Sequence, residues 1–333
     1  VRYEKLHNLL TPADPIDQTS WVLKEHWPET IEGKPRRLGH EEQAKIIHGK
    51  KVKAVKFLYE NYGLDKILEI SSQLPGIELQ TFAFAVSDVI DNENELSKIW
   101  EGLKTDGTPT VFAQCIIDRK RRLNGNQPIF ELYEKLKAKE FETKALTNLF
   151  VKLFTGGELW DFIDTTGQEV IDDYWKRVDS FYFYAPTEDL SKAISKLMQY
   201  DRFTSALHVA SNAADQLDES LLVEVLTNFI SNKPEENVRL DTYEIQHIFE
   251  ELRKKKTTDH NTLIRLEWLY LPLLDQGFDH GNTPVLHEEM ADNPEFFIQV
   301  LEQLYKTETD DEQEAELSDE KIQQKVQMAQ SAY

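Results

Sequence analysis

The 333-residue sequence has few of the features that mark secreted, membrane-spanning or disulfide-bonded proteins. It contains one cysteine, which excludes an internal disulfide, and the apolar neighbours of Cys115 indicate a small core residue. It has no Asn-x-Ser/Thr site, no signal-type N-terminus and no apolar run that approaches the length of a membrane span. These absences predict a cytoplasmic protein with no membrane partner.

Glycine and proline are also scarce, at 13 and 12 residues, and strict alternation of apolar and polar residues is rare. This pattern argues against all-β and doubly wound folds and favours an all-α protein. With 40% hydrophobic and 29% charged residues, the chain is long enough for a large core and exceeds the length of most single cores. Two lobes or an elongated stack are expected. Because the first residue is Val1, we also expect a fragment of a longer protein.

Basic residues are in the minority, and the formal net charge is −22. The first 60 residues hold 11 Lys and Arg against 9 Asp and Glu, so the remaining residues hold 27 against 51, a net charge of −24. Such a field repels nucleic-acid phosphates and anionic lipids. The composition therefore argues against a nucleic-acid partner, except through local contacts near the N-terminal end.

Amphipathic helical patterns follow one another from Glu41 onwards, each about 8 to 20 residues long and separated by short turns. The unit of helix, turn and helix recurs roughly every 35 to 40 residues, which is typical of stacked helical hairpins. Lys144–Phe154 and Leu221–Ile230 have similar apolar layouts, and Asp189–Ala210 is the clearest hairpin. The predicted fold is an α-solenoid, a right-handed superhelical stack of antiparallel hairpins with degenerate HEAT- or tetratricopeptide-like repeats.

Helix-breaking residues and charges divide the chain into four predicted regions. Residues 1–40 hold four prolines and are predicted to be an irregular arm that lies on the solenoid. Residues 41–186 are predicted to form an N-terminal helical lobe, and residues 187–305 a C-terminal helical lobe. Residues 306–333 are predicted to be an acidic tail with the start of a further helix.

The densest apolar block of the chain begins at Leu263 and runs to Leu274. Only Arg265 and Glu267 interrupt it with charge, so this helix is expected to be surrounded by other helices. Pro272 removes a backbone hydrogen bond, and it should kink the helix or end it within the next turn.

Aromatic residues are concentrated between residues 174 and 184. Four consecutive aromatics, Phe181, Tyr182, Phe183 and Tyr184, cannot all share one buried helix face, because neighbouring side chains point about 100° apart. We interpret them as a seam between the two lobes, and an exposed ligand or protein site is the alternative. Trp175 belongs to the same candidate interaction surface.

Two basic segments, residues 50–56 and 119–122, are candidate contacts for phosphate. Cations at the end of a helix also offset the helix dipole, and neither segment is interleaved with exposed aromatic residues. We therefore interpret the segments as weak basic patches. Their members are Lys50, Lys51, Lys53, Arg119, Lys120, Arg121 and Arg122.

The common catalytic and metal-binding motifs are incomplete in this sequence. His287 is followed four residues later by Ala291, where a metalloprotease helix needs a second histidine. The Gly-Gly pair at residues 156–157 lacks the Lys-Ser/Thr of a phosphate-binding loop, and no Gly-x-Ser-x-Gly elbow occurs.

A looser group of acidic and histidine side chains falls mostly in a polar turn, where such residues are common without a metal. Its members are Asp275, Asp279, His280 and His287. We predict no catalytic, cofactor-binding or metal-binding residues, no cofactor and no enzyme activity.

Several strings of residues carry a resemblance to a known family. Arg265–Leu274, Leu286-His287 and Asn293–Phe297 resemble the C-terminal helical region of very large bacterial multidomain proteins, most of which have no assigned function. The similarity extends back through Arg202–Ala210 and Tyr174-Trp175. The resemblance implies a cytoplasmic helical-repeat module attached to another domain that carries the activity, in anti-phage defence.

The predicted function is a non-catalytic helical-repeat scaffold or sensor module that mediates protein–protein contacts, with its own missing domains or with another polypeptide. Two alternatives stay open. One is an enzyme domain with an unrecognised helical active site, and the other is a nucleic-acid-binding repeat that uses residues 50–56 and 119–122. An enzyme should bring polar residues together at helix ends, whereas the unusual residues of this chain are aromatics and acids on helix faces.

Overall fold

The computed structural model describes residues 15–24, 39–153, 156–180, 183, 186–232, 242–255, 257–274 and 283–304. These residues form 16 α-helices, a short 3-10 helix and connecting turns, and no strand occurs among them. The prediction of an all-α fold is confirmed. The chain divides into two compact units, Val1–Tyr182 and Phe183–Tyr333.

Nine of the described α-helices belong to the first unit. They are α1 (Pro15–Lys24), α2 (His40–Ser71), α3 (Gly76–Ser87), α4 (Glu93–Trp100), α5 (Thr108–Asn124), α6 (Gln127–Ala138), α7 (Thr143–Thr147), α8 (Gly157–Asp164) and α9 (Gln168–Arg177). The 3-10 helix Glu101–Lys104 follows α4 directly.

Seven described α-helices belong to the second unit. They are α10 (Thr187–Gln199), α11 (Phe203–Asn212), α12 (Glu219–Ser231), α13 (Thr242–Lys255), α14 (His260–Leu274), α15 (Pro284–Asp292) and α16 (Pro294–Leu304). The hairpin predicted around Asp189–Ala210 is present as α10 and α11, which pack against each other. In neither unit does a described helix have both the length and the apolar composition needed to cross a membrane.

Local chemistry explains many of the helix boundaries. Pro109 and Pro128 occupy the first turns of α5 and α6, where a missing backbone N–H costs nothing. The Asn92 side chain caps α4 by accepting a hydrogen bond from the Asn94 amide at 2.9 Å. Gly125 ends α5 with a φ of 75°, a conformation that glycine adopts easily.

Helix α2 contains a break at Gly63, where φ is 74° and the backbone leaves the helical conformation. A residue with a side chain is strained at this angle, whereas glycine is not. The sequence pattern predicts a helix end at this residue, and the second helical segment of α2 begins directly after it.

The N-terminal arm is the part of the fold that the sequence predicts wrongly. Residues 15–24 form the regular helix α1, which packs against α2 and α3 and buries Val22 and Leu23. The error has a physical reason. Proline is well tolerated at the start of a helix, so Pro15 begins α1 and does not break it. Most of the other residues in the predicted arm lie outside the described residues.

The core of the first unit lies between α2, α3 and α5. Phe82 on α3 stacks on Phe112 of α5 with ring centroids 5.9 Å apart. A buried polar cluster lies next to this core. The Asn148 side chain donates to the Leu103 backbone carbonyl at 2.9 Å, and the Asn148 backbone carbonyl accepts from the Gln114 side chain at 2.9 Å. Because buried polar groups without partners are costly, these bonds determine which residues face each other.

The core of the second unit is built around α14, which contacts α12, α13 and α15. Leu266, Tyr270 and Leu271 are almost fully buried, and the Tyr270 hydroxyl donates to the Leu226 carbonyl of α12 at 2.7 Å. The described part of this helix extends to Leu274, beyond Pro272, and the residues that follow, where the predicted stop falls, lie outside the described residues.

Replacing Tyr270 by Phe tests the contribution of this buried hydrogen bond. The variant leaves the Leu226 carbonyl without its hydroxyl partner, so we expect it to lose about 1 to 2 kcal/mol of unfolding free energy. Urea denaturation followed by circular dichroism measures the loss. The matched control is Tyr243→Phe, because the Tyr243 side chain is largely exposed. Equal stability of the two variants would contradict the expectation.

Candidate functional site

The fold brings His48, which lies two residues before the first predicted basic segment, next to Arg119, the first residue of the second segment. His48 on α2 and Arg119 on α5 lie 3.4 Å apart between Nε2 and Nη2, although 71 residues separate them in the chain. Asp88, at the end of α3, lies between the two helices and contacts both side chains. We call His48, Asp88 and Arg119, together with Phe84, Asp118, Arg121 and Arg122, the basic cluster.

Asp88 is the central acceptor of the basic cluster. Its Oδ2 atom lies 2.7 Å from His48 Nε2, and Arg119 donates to Oδ1 at 3.0 Å and to Oδ2 at 2.8 Å. Partial burial acts to raise the pKa of Asp88, but the hydrogen bonds from Arg119 and His48 hold this pKa below its usual value. The carboxylate is therefore ionised at neutral pH and is paired with both partners.

A second carboxylate, Asp118, is buried beside the arginines of α5. Arg122 donates from Nε to Asp118 Oδ2 at 2.7 Å, and Arg121 Nε lies 3.6 Å from Asp118 Oδ1. The cluster therefore holds three guanidinium groups against two carboxylates. Much of the positive charge predicted for residues 119–122 is neutralised within the protein.

Lys51 does not belong to a surface patch, which corrects the prediction made from the sequence. Only 1% of its surface is exposed, and its Nζ atom donates to Thr81 Oγ1 at 2.7 Å. Burial lowers the pKa of Lys51 to about 8, because the charged ammonium loses its hydration. Lys53 is exposed, whereas Lys50 and Lys120 are half-buried.

Phe84 adds an aromatic surface to the basic cluster. The guanidinium carbons of Arg119 and Arg122 each lie 5.7 Å from the centre of its ring, which is half-buried. This arrangement provides cation–π attraction and holds both side chains in place. The sequence shows no sign of the contact, because Phe84 lies more than thirty residues before the arginines.

The aromatic residues singled out from the sequence have different environments. Trp175 is fully buried, with its ring 6.0 Å from Trp160 and 5.1 Å from Tyr174. It is a core residue of the first unit, so its prediction as an interaction surface is wrong. Phe183 is half-buried. The remaining predicted members, at positions 181, 182 and 184, lie outside the described residues.

The second unit contains a buried acid, Glu267, which in the sequence is only a charged interruption of the apolar block 263–274. Glu267 has no exposed surface. Its carboxylate accepts one hydrogen bond from Arg253 Nη1 at 3.0 Å and another from the Leu286 backbone amide at 2.7 Å. Burial raises the pKa of Glu267 against the opposing effects of these hydrogen bonds. The carboxylate joins α13, α14 and the first turn of α15, where helical amides otherwise lack partners.

Histidines of the second unit are also paired with acids. His208 Nδ1 lies 2.6 Å from Glu244, and His260 Nε2 lies 3.0 Å from Glu289. His287 is exposed on α15, and the other members of the loose acid and histidine group lie outside the described residues. Within the described residues, no group of three or more His, Cys, Asp or Glu is placed to hold a metal ion.

Cys115 lies on α5, after the apolar residue Val111 and before the charged residues 118–122. Burial raises the pKa of its thiol to about 12, and the nearby Asp118 adds to this effect. A thiol with such a pKa is protonated and poorly reactive at neutral pH. The residue is half-buried, whereas the sequence predicts a core residue.

Comparison with known proteins gives no family for this chain. No family model matches the sequence, and neither a curated protein nor a solved structure shows significant similarity to it. Function has to be inferred from the residues themselves.

The pH dependence of a Glu267→Gln variant tests the buried acid. A carboxyl group whose folded pKa is raised contributes most stability below its unfolded pKa of 4.5, and the contribution is lost as pH rises through the folded pKa. The stability of the variant relative to the parent should therefore increase as pH rises from about 4.5 through the folded pKa, by roughly 1.4 kcal/mol for each unit of upward shift. Urea denaturation at several pH values measures this difference.

Glu289→Gln provides a control of opposite sign. Hydrogen bonds from His260 and Asn293 lower the pKa of Glu289, so its contribution is present above 4.5 and is lost as pH falls. The relative stability of this variant should therefore decrease with rising pH. If the relative stability of Glu267→Gln also decreased with rising pH, the hydrogen bonds to Glu267 would lower its pKa by more than burial raises it, which would contradict the expectation.

Proposed function

We propose that this protein is a non-catalytic helical-repeat scaffold or sensor module that makes protein–protein contacts within a larger bacterial protein. In this proposal, the helices of each unit stack as hairpins of an α-solenoid. The observation that supports it most strongly is that several hydrogen bonds between helices join residues about one predicted repeat apart in the sequence.

These hydrogen bonds repeatedly connect residues about one predicted repeat apart. The separation is 34 residues for Gln114 and Asn148, 36 for His208 and Glu244, and 44 for Tyr270 and Leu226. The pair formed by His48 and Arg119 spans 71 residues, which is about two repeats. In a solenoid each repeat contacts mainly its neighbours, so separations of about one repeat are the expected ones, and the pair that spans two repeats is an exception.

The order of helix contacts supports the same arrangement within each unit. In the first unit, α3 contacts both α2 and α5. In the second unit, α11 contacts α10, α12 and α13, and α12 also contacts α14. Contacts between consecutive helices and between alternate helices are typical of stacked hairpins, in which equivalent helices of adjacent repeats lie side by side.

The pairing of charged groups is compatible with a scaffold. Asp88 and Asp118 hydrogen-bond Arg119 and Arg122 of α5, and Glu267 hydrogen-bonds Arg253. Residues that bind each other in this way give a surface a defined shape and charge. The same pairing argues against the nucleic-acid alternative, because two carboxylates lie among the predicted phosphate contacts.

The attachment to a larger bacterial protein, and a role in anti-phage defence, rest on the family resemblance. The residues that carry it are mainly packing residues: Ile264, Leu271 and Leu286 form a buried cluster, and Trp268 and Phe296 pack against it. A pattern made of packing residues fits a helical module whose activity resides in another domain. Cloning the complete coding region with its genomic neighbours identifies that domain.

Hydrogen exchange of a destabilised variant tests the repeat arrangement. Leu226→Ala removes a fully buried side chain of α12 and should cost about 2 to 5 kcal/mol locally. In a solenoid, amide exchange should accelerate most in α11 to α14 and progressively less towards α16, because coupling runs between neighbouring repeats. Uniform acceleration across the second unit would instead indicate one cooperative core and contradict the proposal.

Binding of duplex DNA tests the nucleic-acid alternative. The net charge of −24 beyond residue 60, and the pairing of the arginines, should prevent tight binding near physiological salt. Fluorescence anisotropy with a labelled duplex at about 0.15 M salt is expected to show no sub-micromolar affinity. Sub-micromolar binding that disappears in Arg122→Ala would favour the nucleic-acid alternative over the scaffold.

A further inference from the structure

We propose that residues 320–333 dock as a helix on an exposed apolar stripe of α16 and cap that end of the second unit. This inference goes beyond the proposed scaffold function, because it concerns a contact of the chain with itself. Residues 320–333 lie outside the described residues, so their sequence supplies the pattern and α16 supplies the surface. The surface, which we call the α16 stripe, consists of Pro294, Phe297, Ile298 and Leu301.

The α16 stripe is apolar and lies at the surface. Its members are spaced by three or four residues, so they share one helix face. Ile298 is 53% exposed and Phe297 is 42% exposed, while Pro294 is also exposed and Leu301 is half-buried. Phe296 lies on another face of the helix and packs against the buried cluster of the second unit. Helix α16 therefore has one apolar face in the core and a second at the surface, as expected of a helix with neighbours on both sides.

The sequence of residues 320–333 repeats the spacing of this stripe, which Tyr305 continues by one more turn. The corresponding residues are Pro294 and Ile322, Ile298 and Val326, Leu301 and Ala329, and Tyr305 and Tyr333, and each pair is separated by 28 residues. Apolar residues at this spacing predict an amphipathic helix. Ser318 and Asp319 precede it, and both residue types are favoured at the start of a helix. The predicted helix therefore carries an apolar face as long as the α16 stripe.

The charges of the two segments are opposite. Residues 284–304, which form α15 and α16, hold five acidic residues and no Lys or Arg. Three of these acids, Glu288, Asp292 and Glu295, are exposed. Residues 321–333 hold Lys321 and Lys325 and no acidic residue. Opposite net charges beside two apolar faces favour their association.

The same charges argue against a second copy of the chain on the α16 stripe. Two copies that met through α16 would bring two surfaces together that each carry five acids, and like charges oppose association. Residues 320–333 are also attached to the surface that they would bind. Attachment through a short flexible linker corresponds to an effective concentration of the order of millimolar, which favours contact within one chain.

The linker is long enough for this contact. Residues 306–319 can span up to about 45 Å when extended, whereas the axes of packed helices are about 8 to 10 Å apart. An antiparallel arrangement places Ile322 beside Tyr305, at the end of α16 where the linker begins. It requires the shortest path and continues the pattern of helical hairpins. A helix of about 12 residues is marginally stable by itself in water, so it needs the α16 stripe to form.

Hydrogen exchange of the full chain tests the docking. The amides of residues 322–333 should exchange at least about tenfold more slowly than in a synthetic peptide of residues 320–333. Ile298→Asp places a charge in the middle of the α16 stripe and should bring exchange to within about twofold of the peptide. The matched control is Ile77→Asp, because Ile77 is 44% exposed on α3 of the first unit. This control should leave the protection unchanged.

Cysteine cross-linking tests the direction of the docked helix. Gln323→Cys is combined either with Glu302→Cys, which is near residue 323 in the antiparallel arrangement, or with Glu295→Cys, which is level with it in a parallel one. Both chains also carry Cys115→Ala, so no other thiol is present. A bismaleimide with a span of about 10 Å matches the separation of packed helices. We expect cross-linking within one chain to be at least about tenfold faster for the Glu302 pair.

Several results would overturn the proposal. They are exchange in the parent as fast as in the peptide, protection that survives Ile298→Asp or is lost equally in Ile77→Asp, and faster cross-linking of the Glu295 pair. Protection that depends on protein concentration, or cross-links between two chains, would show that a second copy supplies the helix, which would also overturn it. The Leu226→Ala test of the repeat arrangement concerns coupling among α11 to α14, so failure of one proposal can be told apart from failure of the other.

Discussion

The buried Glu267 carboxylate is the interaction on which the arrangement of α13, α14 and α15 depends. A charged side chain without exposed surface must keep its partners, because an unpaired buried charge costs about 3 to 5 kcal/mol. Its partners are Arg253 on α13 and the Leu286 amide at the start of α15. The apolar side chains of α14 supply most of the packing energy, but apolar contacts have no preferred direction and do not by themselves fix the position of one helix along another. The carboxylate restricts these helices to positions that preserve both bonds.

The first unit uses buried polar groups in the same way. Asn148 connects the Leu103 carbonyl with the Gln114 side chain, and Asp118 connects arginines of its own helix to the core. The two Asn148 bonds join elements that are adjacent in the predicted stack of hairpins, whereas the Asp118 bond lies within one helix. Apolar burial therefore drives the helices together, and a few polar contacts select the register between neighbours.

The surface of the first unit follows from this internal pairing. Pairing with Asp88 and Asp118 reduces the positive charge of α5 to a small local excess beside exposed aliphatic residues. A nucleic acid, whose negative charge continues along its whole length, suits such a surface less well. The proposed scaffold role is compatible with this balance of charge.

The sequence alone determined the helical class, the Gly63 break and the hairpin of α10 and α11, because the spacing of apolar residues and the positions of Gly and Pro act within a few residues. It did not reveal that Pro15 begins a helix. Only the tertiary structure decided that Trp175 and Lys51 are buried, and that His48, Asp88 and Arg119 meet. These contacts join residues 31 to 71 positions apart, and no local pattern encodes which helix faces will pack together.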